Sequence, residues 1–175
     1  MREDRANRTF YGRSLVIQTM SLLVPFDASE LATAALERAA TFGTMLDEEI
    51  VVLTVIPDDA TYAEERGWIT HGEPFDADRI ADGLRERAHA VAPEATYRTT
   101  SVDSDEPTAT STTNVVREIR RVAADIEASV VFIGSENAGS VVAPVSSVGG
   151  PVASDHSYDV YVVRSSDAPL EAQRD

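Results

Sequence analysis

The run Glu49-Ile50-Val51-Val52-Leu53-Thr54-Val55-Ile56 decides the fold class. It is strand-length and rich in β-branched residues, and it is apolar at consecutive positions instead of alternating ones. A strand with both faces apolar belongs in a sheet covered by helices on both sides, the arrangement typical of parallel α/β sheets. Working outward, Ser21–Phe26 reads as a short apolar strand, and Asp27 and Ser29 follow as candidate helix N-caps. Leu31, Ala35, Ala39 and Phe42 form one helical stripe, which Gly43 is expected to end. Ile80, Leu84, Ala88 and Val91 make a second stripe, capped by Asp76 or Asp78 and followed by Pro93. Ala95–Val102 is a third strand with polar alternation. Val115, Ile119, Val122 and Ile126 make a third helical stripe, Val130–Ile133 a fourth strand and Val160–Val163 a fifth. Strands alternating with helices imply parallel crossovers and an open α/β sheet with helices on both faces. Two segments break the rhythm: Pro57–Phe75, an irregular excursion holding the only tryptophan, Trp68, and the polar loop Asp103–Thr113.

The chain has 175 residues, 43 % of them hydrophobic, enough for one domain with its own core. It contains no cysteine, which removes disulfides and thiolate chemistry and fits a reducing cytosol. No apolar run is long enough to cross a bilayer, so a cytoplasmic location is expected and a membrane partner is not. Thirty acidic residues oppose fifteen basic ones, all arginine, for a net charge of −15. That field repels nucleic acid and anionic lipid. Excess carboxylate without lysine suits a halophilic protein, whose self-repulsion is screened by molar salt; an ordinary acidic domain from a GC-rich genome is the plainer alternative. Residues 1–19 differ, carrying Arg2, Arg5, Arg8 and Arg13 against Glu3 and Asp4. They read as a basic arm or as an upstream artefact before a start at Met20. Residues 20–166 read as the folded domain and 167–175 as a polar tail.

Several phrases of the sequence resemble universal stress proteins. Leu22-Leu23-Val24-Pro25-Phe26-Asp27-Ala28-Ser29-Glu30 is similar to their opening, and Leu53-Thr54-Val55-Ile56-Pro57 to the end of their second strand. Glu127-Ala128-Ser129 leading into Val130-Val131-Phe132-Ile133-Gly134-Ser135 is similar to their fourth strand. Ser146-Ser147-Val148 followed by Asp159–Val163 is similar to their close. The resemblance implies a single Rossmann-like sheet of strand order 3-2-1-4-5. Asp27 and Gly134 then lie at strand ends beside the topological switch point, where such sheets bind ligands.

It also implies a candidate adenine-nucleotide site of Pro25, Phe26, Asp27, Val55, Ile133, Gly134, Asn137, Ser146, Ser147 and Val148. The ligand would be ATP or AMP with Mg²⁺, or no cofactor at all, since one branch of the family binds none. Asp27 could hold base or ribose, or cap the first helix. Val55 would lie against adenine, or be a buried sheet residue either way. Nucleotide-binding members carry Gly-x2-Gly-x9-Gly-[Ser/Thr]; here Asn137 and Ser146 replace the second and third glycines, the spacing is one residue short, and Glu136 sits inside the loop. With no cation between Arg121 and Arg164, phosphates are expected to depend on backbone amides, a helix N-terminus and Mg²⁺. No catalytic or protein metal-ligand residue is assigned; His71, His89 and His156 are isolated, and Glu64-Glu65 and Asp103–Glu106 read as solvated acidic loops. The implied role is a homodimeric stress-response regulatory or protective module, paired through Val160–Val163. The rivals are a nucleotide-independent protein-interaction module and a slow ATP hydrolase.

Overall fold

The computed structural model describes residues 21–102, 110–135 and 158–166. The expectations for residues 1–20, Asp103–Asp105 and Glu106, Glu136, Asn137, Ser146, Ser147, Val148, His156 and the tail 167–175 lie outside them. Strands β1 (Ser21–Pro25), β2 (Glu49–Pro57), β3 (Thr96–Val102), β4 (Ala128–Gly134) and β5 (Asp159–Val163) form one sheet. Their order is β3-β2-β1-β4-β5 and every neighbouring pair is parallel. Helices α1 (Glu30–Leu46), α2 (Ala60–Glu65), α3 (Ala77–Val91) and α4 (Ser111–Asp125) complete the described elements.

The unbroken apolar character of β2 has a direct cause. Val52 packs with Leu22, Val24, Leu36 and Ala88 on the α1 and α3 side, while Val51, Leu53 and Val55 pack with Leu23, Ile119 and Val122 on the α4 side. Each fully buried aliphatic side chain contributes about 1.5–3 kcal/mol, so both sheet faces hold their helices. Thr54 is the polar exception in β2, 1 % exposed. Its hydroxyl donates to the Phe26 carbonyl at 3.0 Å and accepts from Tyr97 Oη at 3.0 Å, which ties β1, β2 and β3 together without leaving a buried hydroxyl unpaired.

Local signals were realised with four corrections. Gly43 does not end α1, which runs to Leu46 and closes on Asp47 in a left-handed conformation (φ 56°), its N–H donating to the Gly43 carbonyl. Gly43 instead admits Ile50, whose side chain a Cβ there would meet at 3.0 Å. Phe42, placed on the buried stripe, is 36 % exposed and packs edge-on against Phe132 and Tyr161. The excursion 57–75 is not irregular throughout: it contains α2, capped by Asp59, and buries Ala63 and Ile69 with Ile56, Ile80 and Leu84. The expected loop ending at Thr113 gives way earlier, because Thr110 caps α4 and the helix starts at Ser111. Asp76, not Asp78, caps α3.

Candidate functional site

At the carboxyl ends of β1 and β4 the sheet splits, since the chain leaves β1 toward one neighbour and returns beside the other. A cleft of about 680 Å³, open mouth included, lies there. Pro25, Phe26, Asp27, Val55, Ile133 and Gly134 all line it, so three segments far apart in sequence converge. Their surroundings differ. Val55 and Ile133 are 6 % and 2 % exposed and give an apolar floor. Phe26 sits in the core, its N–H donating to the Leu53 carbonyl at 2.8 Å. Asp27 is the acidic group at the rim.

Asp27 does not cap α1; Ser29 does, with its hydroxyl accepting from Ala32 N at 3.2 Å. Ala28 between them is left-handed (φ 63°), a conformation unfavourable for alanine. That turn lets Asp27 Oδ1 accept from Ser29 N at 3.0 Å. Asp27 Oδ2 accepts from Arg66 Nη1 at 2.6 Å, with both side chains largely shielded from water.

Arg66 overturns the expectation that no cationic side chain is local. It follows α2 directly, in the segment that lacked periodicity, and it lines the cleft with Tyr62 and Trp68. Its guanidinium lies over the Tyr62 ring, 5.1 Å from the centroid. Tyr62 meets Trp68 edge-on at 5.7 Å, and Trp68 Nε1 donates to the Asp27 carbonyl at 2.9 Å. Burial pushes the Tyr62 phenol pKa up, against the opposing pull of Arg66. Asp59 fastens this segment, 59–68, the lid of the cleft: Oδ2 accepts from Ser111 Oγ at 2.6 Å and Oδ1 from Tyr62 N, bonds that hold its carboxyl below the ordinary range. Tyr62, Arg66 and Trp68 were missed because no motif or period marks them. The one available signal was two aromatic residues and an arginine, Tyr62, Arg66 and Trp68, close together in an otherwise acidic segment directly after a strand end.

Gly134 has a structural reason to be glycine, since a Cβ there would lie 2.8 Å from Leu31 Cβ. Among the described residues no group of three His, Asp or Glu could hold a metal ion. His71 is exposed beside Glu64, which also accepts from Gly72 N. No described helix is long and apolar enough to cross a membrane.

The model of the universal stress protein family matches residues 19–164. Among solved structures, the protein MJ0577, whose biochemical function was assigned from its structure, aligns at 16 % identity and a TM-score of 0.52, over 87 % of this chain and 100 % of its own. A universal stress protein in complex with cAMP aligns at 20 % identity and a TM-score of 0.45, over 83 % and 97 %. One from Archaeoglobus fulgidus in complex with dAMP aligns at 13 % identity and a TM-score of 0.48, over 83 % and 98 %. A search of curated proteins finds no match.

Proposed function

The chain belongs to the universal stress protein family, and from that premise we propose that its cleft takes an adenine nucleotide, ATP or AMP with Mg²⁺, within a cytoplasmic stress-response module. The observation that carries this reading is the convergence of an apolar floor (Leu53, Val55, Ile133) with the Asp27 carboxylate at the switch point of the sheet. A flat base is desolvated against the floor, while the carboxylate accepts from a base amine or a ribose hydroxyl. Asp27 suits that task because its two engaged bonds leave a lone pair on each oxygen. Mg²⁺ would be carried by the nucleotide's own phosphates. Asn137, Ser146, Ser147 and Val148 are the remaining proposed contacts. Nucleotide content of the purified protein, followed by calorimetry with ATP and AMP in concentrated KCl with Mg²⁺, tests the reading; absence of bound nucleotide and of binding heat defeats it.

A second reading has its own support. Asp27 and Gly134 both have structural work without any ligand, Asp27 in fastening the lid and Gly134 in admitting Leu31. A nucleotide-independent interaction module of the same fold would need both residues just as they are. Phosphate release from bound ATP separates a hydrolase from either reading.

A further inference from the structure

Resting on the nucleotide reading of the cleft, we infer that Arg66 is a specificity-determining residue, making the site select a phosphorylated nucleotide over the uncharged nucleoside of the same base. The chain as a whole carries −15, a field that repels any phosphate approaching it. Asp27 alone at the rim would add to that repulsion. Arg66 cancels the Asp27 charge at 2.6 Å and uses only Nη1 to do so. A guanidinium has five N–H donors fanned in one plane, so a second anion can be bound while the first is held.

The side chain is also placed in advance. The Tyr62 face supports its guanidinium at 5.1 Å, and the Asp27 carboxylate holds Nη1 at 2.6 Å. Tyr62 in turn is braced by Trp68, and Trp68 by the Asp27 carbonyl. Little side-chain freedom therefore remains to be lost when a phosphate arrives. Arg66 is the cation among the described residues lining the cleft, and Asp27 is the acid. A ligand with a sugar for the carboxylate and a phosphate for the guanidinium matches this pair; a nucleoside leaves the guanidinium without its second anion.

Trp68, the single tryptophan of the chain, reports on the site through its fluorescence. The full chain is titrated with AMP and with adenosine at one fixed KCl concentration, with calorimetry in parallel, and Arg66→Gln and Arg66→Lys are treated likewise. AMP is expected to bind about tenfold tighter than adenosine, the worth of one charge-assisted contact. Arg66→Gln should bring that ratio to near one by weakening AMP and not adenosine, and Arg66→Lys, which retains charge but not the fork, should fall between. If the ratio is unchanged in Arg66→Gln, or both ligands weaken equally, Arg66 is only a clasp and the inference is overturned while the nucleotide reading stands. If the wild-type chain binds neither probe, both fall. Should Arg66→Gln fail to fold, the ratio in Arg66→Lys decides in the same way.

Discussion

Gly134 and Leu31 are in such close approach that a single added carbon at Gly134 would lie 2.8 Å from Leu31 Cβ. The end of β4 and the first turn of α1 are in contact at a point where neither backbone leaves space. Gly134→Ala should therefore destabilise the domain by about 1–3 kcal/mol through overpacking. Paired with Leu31→Gly, which removes the opposing carbon, it should show favourable coupling in a double-variant cycle; with Leu31→Ala, which retains that carbon, it should show none. Denaturant unfolding of the variants measures this. Equal coupling for both partners would move the clash elsewhere.

Stability should fall in acid through at least two carboxylates. Asp59 is held below its ordinary value by Ser111 and the Tyr62 N–H, and Glu118 below its own by the Arg121 fork at 2.6 and 2.9 Å. A carboxylate with a lowered folded pKa contributes stability above its unfolded pKa and loses it as pH falls through the folded one. The unfolded values are 3.8 and 4.5, so the loss begins near them and deepens below. Ser111→Ala should shrink the acid sensitivity, and urea midpoints between pH 7 and pH 3 would show it. An unchanged slope would mean that Asp59 does not fasten the lid.

Removing the indole donor should loosen the lid without unfolding the core. Trp68→Phe retains an aromatic edge for Tyr62 but leaves the Asp27 carbonyl without its 2.9 Å bond. A loss of about 0.5–1.5 kcal/mol is expected. Hydrogen exchange should quicken in 58–69 and stay unchanged in β1 and β2. Uniform acceleration across the domain would contradict a local role.

Salt should stabilise the fold. At −15 the chain repels itself, and the Debye length shortens from about 10 Å at 0.1 M to about 3 Å at 1 M. The thermal midpoint should climb markedly from dilute to molar KCl. A flat profile would leave the composition as an ordinary acidic one.

Self-association through β5 is expected in solution. Tyr161 is 36 % exposed on the edge strand and packs edge-on against Phe42, itself 36 % exposed. Light scattering in concentrated KCl should return twice the 18.9 kDa of one chain. Tyr161→Asp should return the single mass with helical circular dichroism retained. A monomer in the wild-type protein would end this expectation.

What the sequence disclosed follows the physics of each segment. Strands such as Val51–Ile56 were legible because burial on both faces demands an unbroken apolar run. The stripes of α3 and α4 were legible because each helix buries one face only. Phe42 deceived because the helical period tells which face a residue is on, not whether the neighbouring layer extends far enough to cover it. Asp27 and Ser29 are both capable caps; the left-handed Ala28 separates their roles, and no composition rule foretells that turn. Arg66 was invisible because a six-residue helix has too few turns to show a period, and its partner lies 39 residues away.

The two edges of the sheet carry unlike surfaces. Among the described residues β3 is polar outward, with Thr96, Arg98, Thr99 and Ser101 exposed, while β5 presents Val160, Tyr161 and Val162. Growth of a filament by head-to-tail sheet addition needs both edges to be adhesive, and β3 is not. A two-fold axis at β5 would use the apolar edge of each copy and leave only β3 edges outside. Such a union is closed by symmetry: it can form once and cannot propagate.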